Sequence, residues 1–350
     1  MLGSLTNRER WFLAIIGAIV AVTAALEYGG ASDVAVFIVA AFALAGVAWV
    51  VSFATEAVGE RFGPGLTGVL QSTLGNLPEL FVVLFALSAG ELVVAQYSIL
   101  GSLFANALLV LGLVVLAGTR AANGVMRFGR KLPNDTATLL LLAIFIISLL
   151  GFSNQAGDRA SHHQVAISAI GAVVLLAVYG VWLFFYLRDE DQPSPTQVRV
   201  PLALSVALLA AAGVAAAFVS DWFVGSLDSA IETLGLSRQF TGLVIVGIAG
   251  NAVENVVGVV LASKGQNDLA ISVVKNSVAQ IAVFLFPALV LLSLLFETRL
   301  TFVLPTVYIA ALFLMAISVW QTTQDGEAAP FEGLALIGFY IILAVLTYYE

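Results

Sequence analysis

The sequence predicts an all-α polytopic membrane protein, and three observations support that prediction. Apolar residues make up 61% of the chain and charged residues 10%, whereas soluble domains hold about 25% charged residues. The apolar residues come in blocks of about 20, long enough as helices to cross a hydrocarbon core of roughly 30 Å. These blocks are apolar on every side, whereas a surface helix of a soluble protein carries a polar face. The bilayer is therefore the expected solvent.

The composition also argues against several classes of protein. The chain has no cysteine, which excludes a disulfide framework, a thiol nucleophile and a Cys-ligated metal. The net charge of −8 is spread thinly through loops, so nucleic acid is not an expected partner. No cofactor is expected. An intramembrane enzyme is disfavoured, because the spans hold no His/Cys ligand set and no Ser/His pair.

We predict about eleven transmembrane helices, at residues 11–26, 34–54, 66–88, 92–117, 136–152, 165–187, 200–219, 241–263, 269–296, 302–320 and 331–349. The most polar stretch, RDEDQPSPTQVR, is the expected linker between two halves. The predicted organisation is an extra N-terminal helix (1–30), a five-helix repeat (31–187), a cytoplasmic acidic linker (188–199) and a second, inverted five-helix repeat (200–350). A secretory signal peptide is the alternative interpretation of the first span.

The distribution of Lys and Arg predicts the orientation. With the N-terminus inside, ten of the 14 cationic residues lie in the N-terminal tail and the predicted inner segments, and three lie in outer loops. Because cytoplasmic loops are enriched in Lys and Arg, we expect a cytoplasmic N-terminus and an integral protein of the cell (plasma) membrane. The fourteenth cationic residue, Lys275, falls inside a predicted span.

Two short motifs indicate an internal duplication. Gly75–Glu79 reads GNLPE and Gly250–Glu254 reads GNAVE, an offset of 250 − 75 = 175 residues. Ser102 and Ser277 share that offset, since 277 − 102 is also 175. Five predicted spans separate matching points, so the second copy should be upside-down relative to the first. Inverted repeats with a site near the membrane midplane are typical of secondary transporters.

Glu79 and Glu254 are the predicted centre of the site. Each lies about 13 residues into its span, hence about 20 Å deep at 1.5 Å per residue, where a carboxylate costs roughly 2.5–3.5 kcal/mol. Inverted symmetry would bring the two together. Because two carboxylates in a dry site cannot both stay charged alone, either protons or a cation must neutralise them. That is the chemistry an exchanger needs.

Further oxygen atoms around these glutamates suit a hard cation. Pro78 should free the carbonyl of Leu74 by clashing with the preceding helical turn, and Gly75 and Gly250 permit close backbone approach. The other candidate ligands are uncharged polar side chains near the two motifs, namely Asn76, Asn251, Thr73, Ser102, Asn106, Ser277 and Gln280. The alternative is that such small polar residues only join helices to each other.

The motifs GNLPEL and GNAVEN, followed by GSLFANALLVLG and NSVAQIAVFLFP, resemble the two α-repeats of the calcium(cation):proton antiporter family, part of the calcium/cation antiporter superfamily. The resemblance implies ten core helices in two inverted repeats plus one N-terminal helix. It implies that cation and protons alternate at Glu79 and Glu254. It also implies that the first and sixth core helices, starting near Val34 and Val200, slide to gate access.

The sequence departs from the family pattern in three places. Asn255 stands where the second motif often ends in His, and the acidic helix between the halves is reduced to Asp189–Asp191. The usual Gly-Ser-Ser-x-Gln-Ile-Ala run reads NSVAQIA and follows Lys275. Lys275 is expected either to extend its side chain back to water or to approach the glutamates in the metal-free state.

The resulting expectation is a secondary antiporter, not an enzyme, that exports Ca²⁺ in exchange for H⁺. Its expected partners are Ca²⁺, protons and the lipid bilayer, with a homo-oligomer as a further possibility. The nearest alternatives keep the fold and change the ions, exchanging Na⁺, K⁺ or Mn²⁺ for H⁺, or Ca²⁺ for Na⁺. A channel is a more distant alternative, since channels need no inverted repeat within one chain.

Overall fold

The described part of the protein is a bundle of α-helices with one two-stranded ribbon. The computed structural model describes residues 4–59, 74–188 and 200–350, and gives the backbone but not the side chains of residues 252–255. Within these ranges nine helices are long and apolar enough to cross a membrane, or ten if a helix pair bent by 117° forms one span. The prediction of an all-α polytopic membrane protein is confirmed.

The helices, labelled in chain order, are α1 (Asn7–Tyr28), α2 (Asp33–Gly59), α3 (Leu77–Ser88), α4 (Leu92–Ala121), α5 (Lys131–Ala156), α6 (Gln164–Arg188), α7 (Leu202–Gly225), α8 (Leu227–Leu234), α9 (Arg238–Gly250), α10 (Ala252–Ser263), α11 (Asn267–Ser293), α12 (Thr306–Thr323) and α13 (Pro330–Tyr348). A 3-10 turn precedes α6, and π-helical segments lie within three helices, at Ala105–Val110 in α4, Thr241–Val246 in α9 and Ile281–Leu285 in α11.

Two of the predicted spans are not single helices in the described part of the chain. In the third predicted span, α3 begins at Leu77 after a turn at Asn76, and residues 66–73 lie outside the described ranges. Pro78 occupies the first turn of α3, where its missing N–H costs nothing. The eighth predicted span is interrupted at Asn251, which divides it into α9 and α10 without a proline.

The 175-residue offset of the motifs recurs in the helix boundaries. α10 begins 175 residues after α3, α11 begins 175 after α4, and α12 begins 175 after α5 (252 − 77, 267 − 92 and 306 − 131). The turns at Asn76 and Asn251 share this offset. Matching sequence positions therefore begin matching helices and matching interruptions.

Burial separates a central pair of helices from a peripheral one. Within the most apolar 18 residues of each helix, 83% of the residues are buried in α4 and 78% in α11, but only 11% in α1. α1 packs on α2, and α2 packs along α7, where the rings of Phe37 and Phe223 stack with centroids 4.8 Å apart. The interrupted helices are thus held between the central pair and the α2–α7 pair, because α7 also contacts α3 and α2 also contacts α9 and α10.

Polar contacts connect the two halves at both ends of the bundle. At the end where α1 begins, β1 (Met126–Arg127) pairs antiparallel with β2 (Glu327–Ala328). At the opposite end, Arg238 contacts Glu91 at 2.7 Å and Asp228 at 2.6 Å. Arg238 begins α9 and Glu91 immediately precedes α4, so this ion pair connects the starts of these two helices.

Candidate cation site

Glu79 lies in the first turn of α3, at the point where the chain resumes a helix inside the bundle. Glu79 is 1% exposed. The backbone N–H groups of a first turn lack helical partners and carry partial positive charge, so the helix dipole favours an anion at this position. This placement lowers the cost of holding a charged carboxylate away from water.

The two sequence motifs meet at Glu79. A Cβ atom built on Gly250, the last residue of α9, would lie 3.7 Å from the Cβ of Glu79. The backbone of the second motif therefore passes against the stem of the glutamate of the first. Ser220 of α7 approaches the same place, because its hydroxyl donates to the Pro78 carbonyl at 3.4 Å. Sequence reasoning missed Ser220, since no motif surrounds it.

Four of the predicted polar residues form one hydrogen-bonded network. Asn106 Nδ2 donates to Asn251 Oδ1 at 2.7 Å and to Ser277 Oγ at 3.2 Å. Asn251 Nδ2 donates to Ser102 Oγ at 2.7 Å and to the Gly247 carbonyl at 2.9 Å. Each of the four is at most 1% exposed. The network joins α4 to the α9–α10 interruption and to α11, so residues from both halves meet at one place.

One buried acceptor in this network has no hydrogen-bond donor among the described residues. It is Oδ1 of Asn106, on a residue with 0% exposure. An unpaired buried acceptor costs about 1–3 kcal/mol, whereas an amide oxygen is a ligand that hard cations accept. This atom is therefore chemically suited to a cation that approaches the network.

The remaining predicted site residues are placed as follows. Asn76 lies at the turn before α3 and is 3% exposed, and Gln280 of α11 is 2% exposed. Gly75 is buried and Leu74 half-buried, immediately before that turn. Thr73 lies outside the described residues. Glu254 lies in the first turn of α10, as Glu79 does in α3, but its side chain is not among those that the structure describes.

The described side chains contain no group of three or more His, Cys, Asp or Glu residues that could hold a metal ion. The candidate donors with described side chains are amides, hydroxyls and the carboxylate of Glu79, and the carbonyls of Gly247 and Pro78 accept hydrogen bonds from Asn251 and Ser220.

Lys275 does not reach water, contrary to one of the two expectations for it. The residue is 2% exposed, and its Nζ donates to Thr323 Oγ1 at 3.5 Å. Thr323 is the last residue of α12, and the C-terminal end of a helix carries partial negative charge that favours a cation. The Thr323 hydroxyl in turn donates to the Val319 carbonyl at 2.8 Å. The ammonium is therefore directed to the end of α12.

A comparison with protein families places this architecture. The model of the family described as "Sodium/calcium exchanger protein" matches residues 32–188 and 204–349. The chain is 34% identical over 330 residues to the vacuolar calcium ion transporter of Schizosaccharomyces pombe, covering 90% of this chain and 79% of that protein. It is 29% identical to a Ca²⁺/H⁺ antiporter of Synechocystis, covering 93% of this chain and 94% of the relative.

Solved structures agree with the sequence comparison. The structure of native YfkE matches with a TM-score of 0.83 and 25% sequence identity, covering 97% of this chain and all of the other. The matched ranges include both motifs and all the interrupted helices described above. The chain therefore belongs to the sodium/calcium exchanger protein family, and within that family it is of the calcium(cation):proton antiporter type.

Proposed function

We propose that this chain exchanges Ca²⁺ for H⁺ across a membrane by alternating access, with cation and protons competing for Glu79 and Glu254. The observation that carries the proposal is Glu79 itself, a carboxylate that is 1% exposed inside an apolar bundle and lies against Gly250 of the second motif. The names of the relatives from Schizosaccharomyces pombe and Synechocystis support Ca²⁺ as the cation.

Charge balance gives the proposed cycle its stoichiometry. Two carboxylates are neutralised either by one divalent cation or by two protons, and in both forms the site can change its exposure at low electrostatic cost. The empty site carries two negative charges in a low-dielectric surrounding and is penalised. The simplest cycle therefore exchanges one Ca²⁺ for two H⁺ and moves no net charge.

We propose that residues 31–187 and 200–350 are two inverted repeats and that α2 and α7 are the gating helices. The shared 175-residue offsets of three helix starts support the repeat. The contacts of α7 with α3, and of α2 with α9 and α10, support the gating role. Sliding of this pair would cover the interrupted helices from one side and uncover them from the other. α1 is the extra helix, packed on α2.

We propose that the N-terminus is cytoplasmic, as the Lys and Arg distribution favours, and that Ca²⁺ is exported from that side in the cell membrane. The purified protein in vesicles with an imposed pH gradient tests the function. Uptake of Ca²⁺, Mn²⁺, Na⁺ and K⁺ is measured in parallel. We expect the pH gradient to drive Ca²⁺ fastest. Ca²⁺ uptake that follows a Na⁺ gradient and ignores the pH gradient would contradict the proposal.

Two variants assign the activity to the site. Glu79→Gln keeps the shape of the side chain and removes the charge that binds the cation, so it should abolish exchange. Glu232→Gln is the matched control, because Glu232 is an exposed carboxylate of α8, and it should exchange as the wild type does. Exchange by Glu79→Gln at the rate of the control would refute the paired-carboxylate mechanism.

A further inference from the structure

Asn251 uses both ends of its side-chain amide within the protein. Its Nδ2 donates to the Gly247 carbonyl at 2.9 Å and to Ser102 Oγ at 2.7 Å. Its Oδ1 accepts from Asn106 Nδ2 at 2.7 Å, and the residue is 0% exposed. An amide has two N–H groups, and here both are occupied. Turning the Asn251 amide towards a cation would therefore break hydrogen bonds that it makes within the protein.

The contact with Gly247 explains the interruption between α9 and α10. In a continuous helix the backbone N–H of residue 251 would bond the carbonyl four residues earlier. Here that N–H contacts the Ala249 carbonyl, and the side chain of Asn251 takes its place at Gly247. Short polar side chains that bond nearby backbone groups compete with the helix in this way. At the first motif Pro78 is available to interrupt the helix, whereas here the asparagine acts in its place.

The same contact fixes the orientation of the next amide. A backbone carbonyl can only accept, so Asn251 must present Nδ2 to Gly247 and hence Oδ1 to Asn106. Asn106 must then present its own Nδ2 to Asn251. Its Oδ1 is left on the other side of the amide, buried and without a donor among the described residues. Gly247 thus determines, through Asn251, which atom Asn106 presents to a cation.

We propose that Asn251 is a positioning residue that holds the interruption of α9–α10 and orients Asn106, and that Asn106 Oδ1, not Asn251, contacts the transported hard cation. This inference rests on the proposed function. It divides two asparagines that the sequence alone placed in one ligand set. It also predicts that they act in series, because Asn251 affects the cation only through Asn106.

A double-mutant cycle tests the serial action, because residues that act through one another give non-additive effects. Asn251→Ala, Asn106→Ala and the double variant are compared by the Ca²⁺ concentration at half-maximal uptake. We expect each single change to raise it about tenfold, and the double variant to stay within about twofold of the weaker-binding single variant. Two independent ligands would instead multiply to about a hundredfold. Ser148→Ala, a buried hydroxyl of α5 outside the network, is the control for loss of a polar group.

A second variant distinguishes the two roles, because they predict opposite changes in Ca²⁺ affinity. Asn251→Asp supplies a charged oxygen, which would tighten Ca²⁺ binding if residue 251 were a ligand. A carboxylate cannot donate to the Gly247 carbonyl, so as a positioning residue the same change should weaken binding, measured by calorimetry on the purified protein. Wild-type protein that does not exchange Ca²⁺ for H⁺ would contradict the proposed function. Wild-type exchange with additive effects, or with tighter binding in Asn251→Asp, would contradict this inference alone.

Discussion

The crossing of α4 and α9 gives a quantitative prediction, because the two backbones touch with no side chain between them. A Cβ atom on Gly247 would lie 2.6 Å from the carbonyl carbon of Gly101 and 2.8 Å from its Cα. Backbone atoms cannot bend aside as the end of a long side chain can. Gly247→Ala therefore requires α9 to move away from α4 by about 1 Å to restore normal packing distances.

The expected cost follows from two opposing terms. Overpacking of this kind costs about 1–3 kcal/mol, and the helix propensity of Ala returns about 1 kcal/mol relative to Gly. The net loss of stability is thus up to about 2 kcal/mol. The functional effect should be larger, because the Gly247 carbonyl accepts from Asn251 and a displacement of about 1 Å can cost about a hundredfold in rate. We expect Ca²⁺ uptake to fall at least tenfold.

Gly338→Ala is the matched control for this substitution. Gly338 lies in α13, and a Cβ atom there would meet nothing within 4 Å. The control gains the same helix propensity without the clash, so it should unfold at an equal or higher temperature and transport normally. Both variants are compared by thermal unfolding in detergent and by vesicle uptake. Equal unfolding temperatures and equal uptake for the two would refute the backbone contact at Gly101.

The remaining predictions concern charge. Glu254→Gln should abolish exchange as Glu79→Gln does, measured by vesicle uptake, and residual proton-coupled uptake would remove Glu254 from the site. At equal pH on both sides, the half-saturating Ca²⁺ concentration should rise as pH falls, because protons compete for the same carboxylates; a flat profile would contradict competition. Lys275→Met should unfold at an equal or higher temperature, because burying the ammonium costs more than is returned by its one bond among the described residues, at 3.5 Å to Thr323. A lower unfolding temperature would show the reverse.

Hydropathy was sufficient for the positions of most helices. α2, for example, was expected at residues 34–54 and runs over Asp33–Gly59. The interruption at Asn251 was not predicted, because GNAVE holds no proline, and the competition of its side chain for the Gly247 carbonyl is visible only once the chain is folded.

The sequence by itself determined the solvent and the class of fold and gave the residue types of the candidate site, because these depend on hydropathy over about 20 residues and on motifs a few residues long. Tertiary structure decided which atoms meet. Asn106 and Asn251 are 145 residues apart and bond at 2.7 Å, and Lys275 lies against Thr323, 48 residues away. Local sequence cannot determine such pairings, because the direction of a buried polar group depends on every neighbour that can donate to it or accept from it.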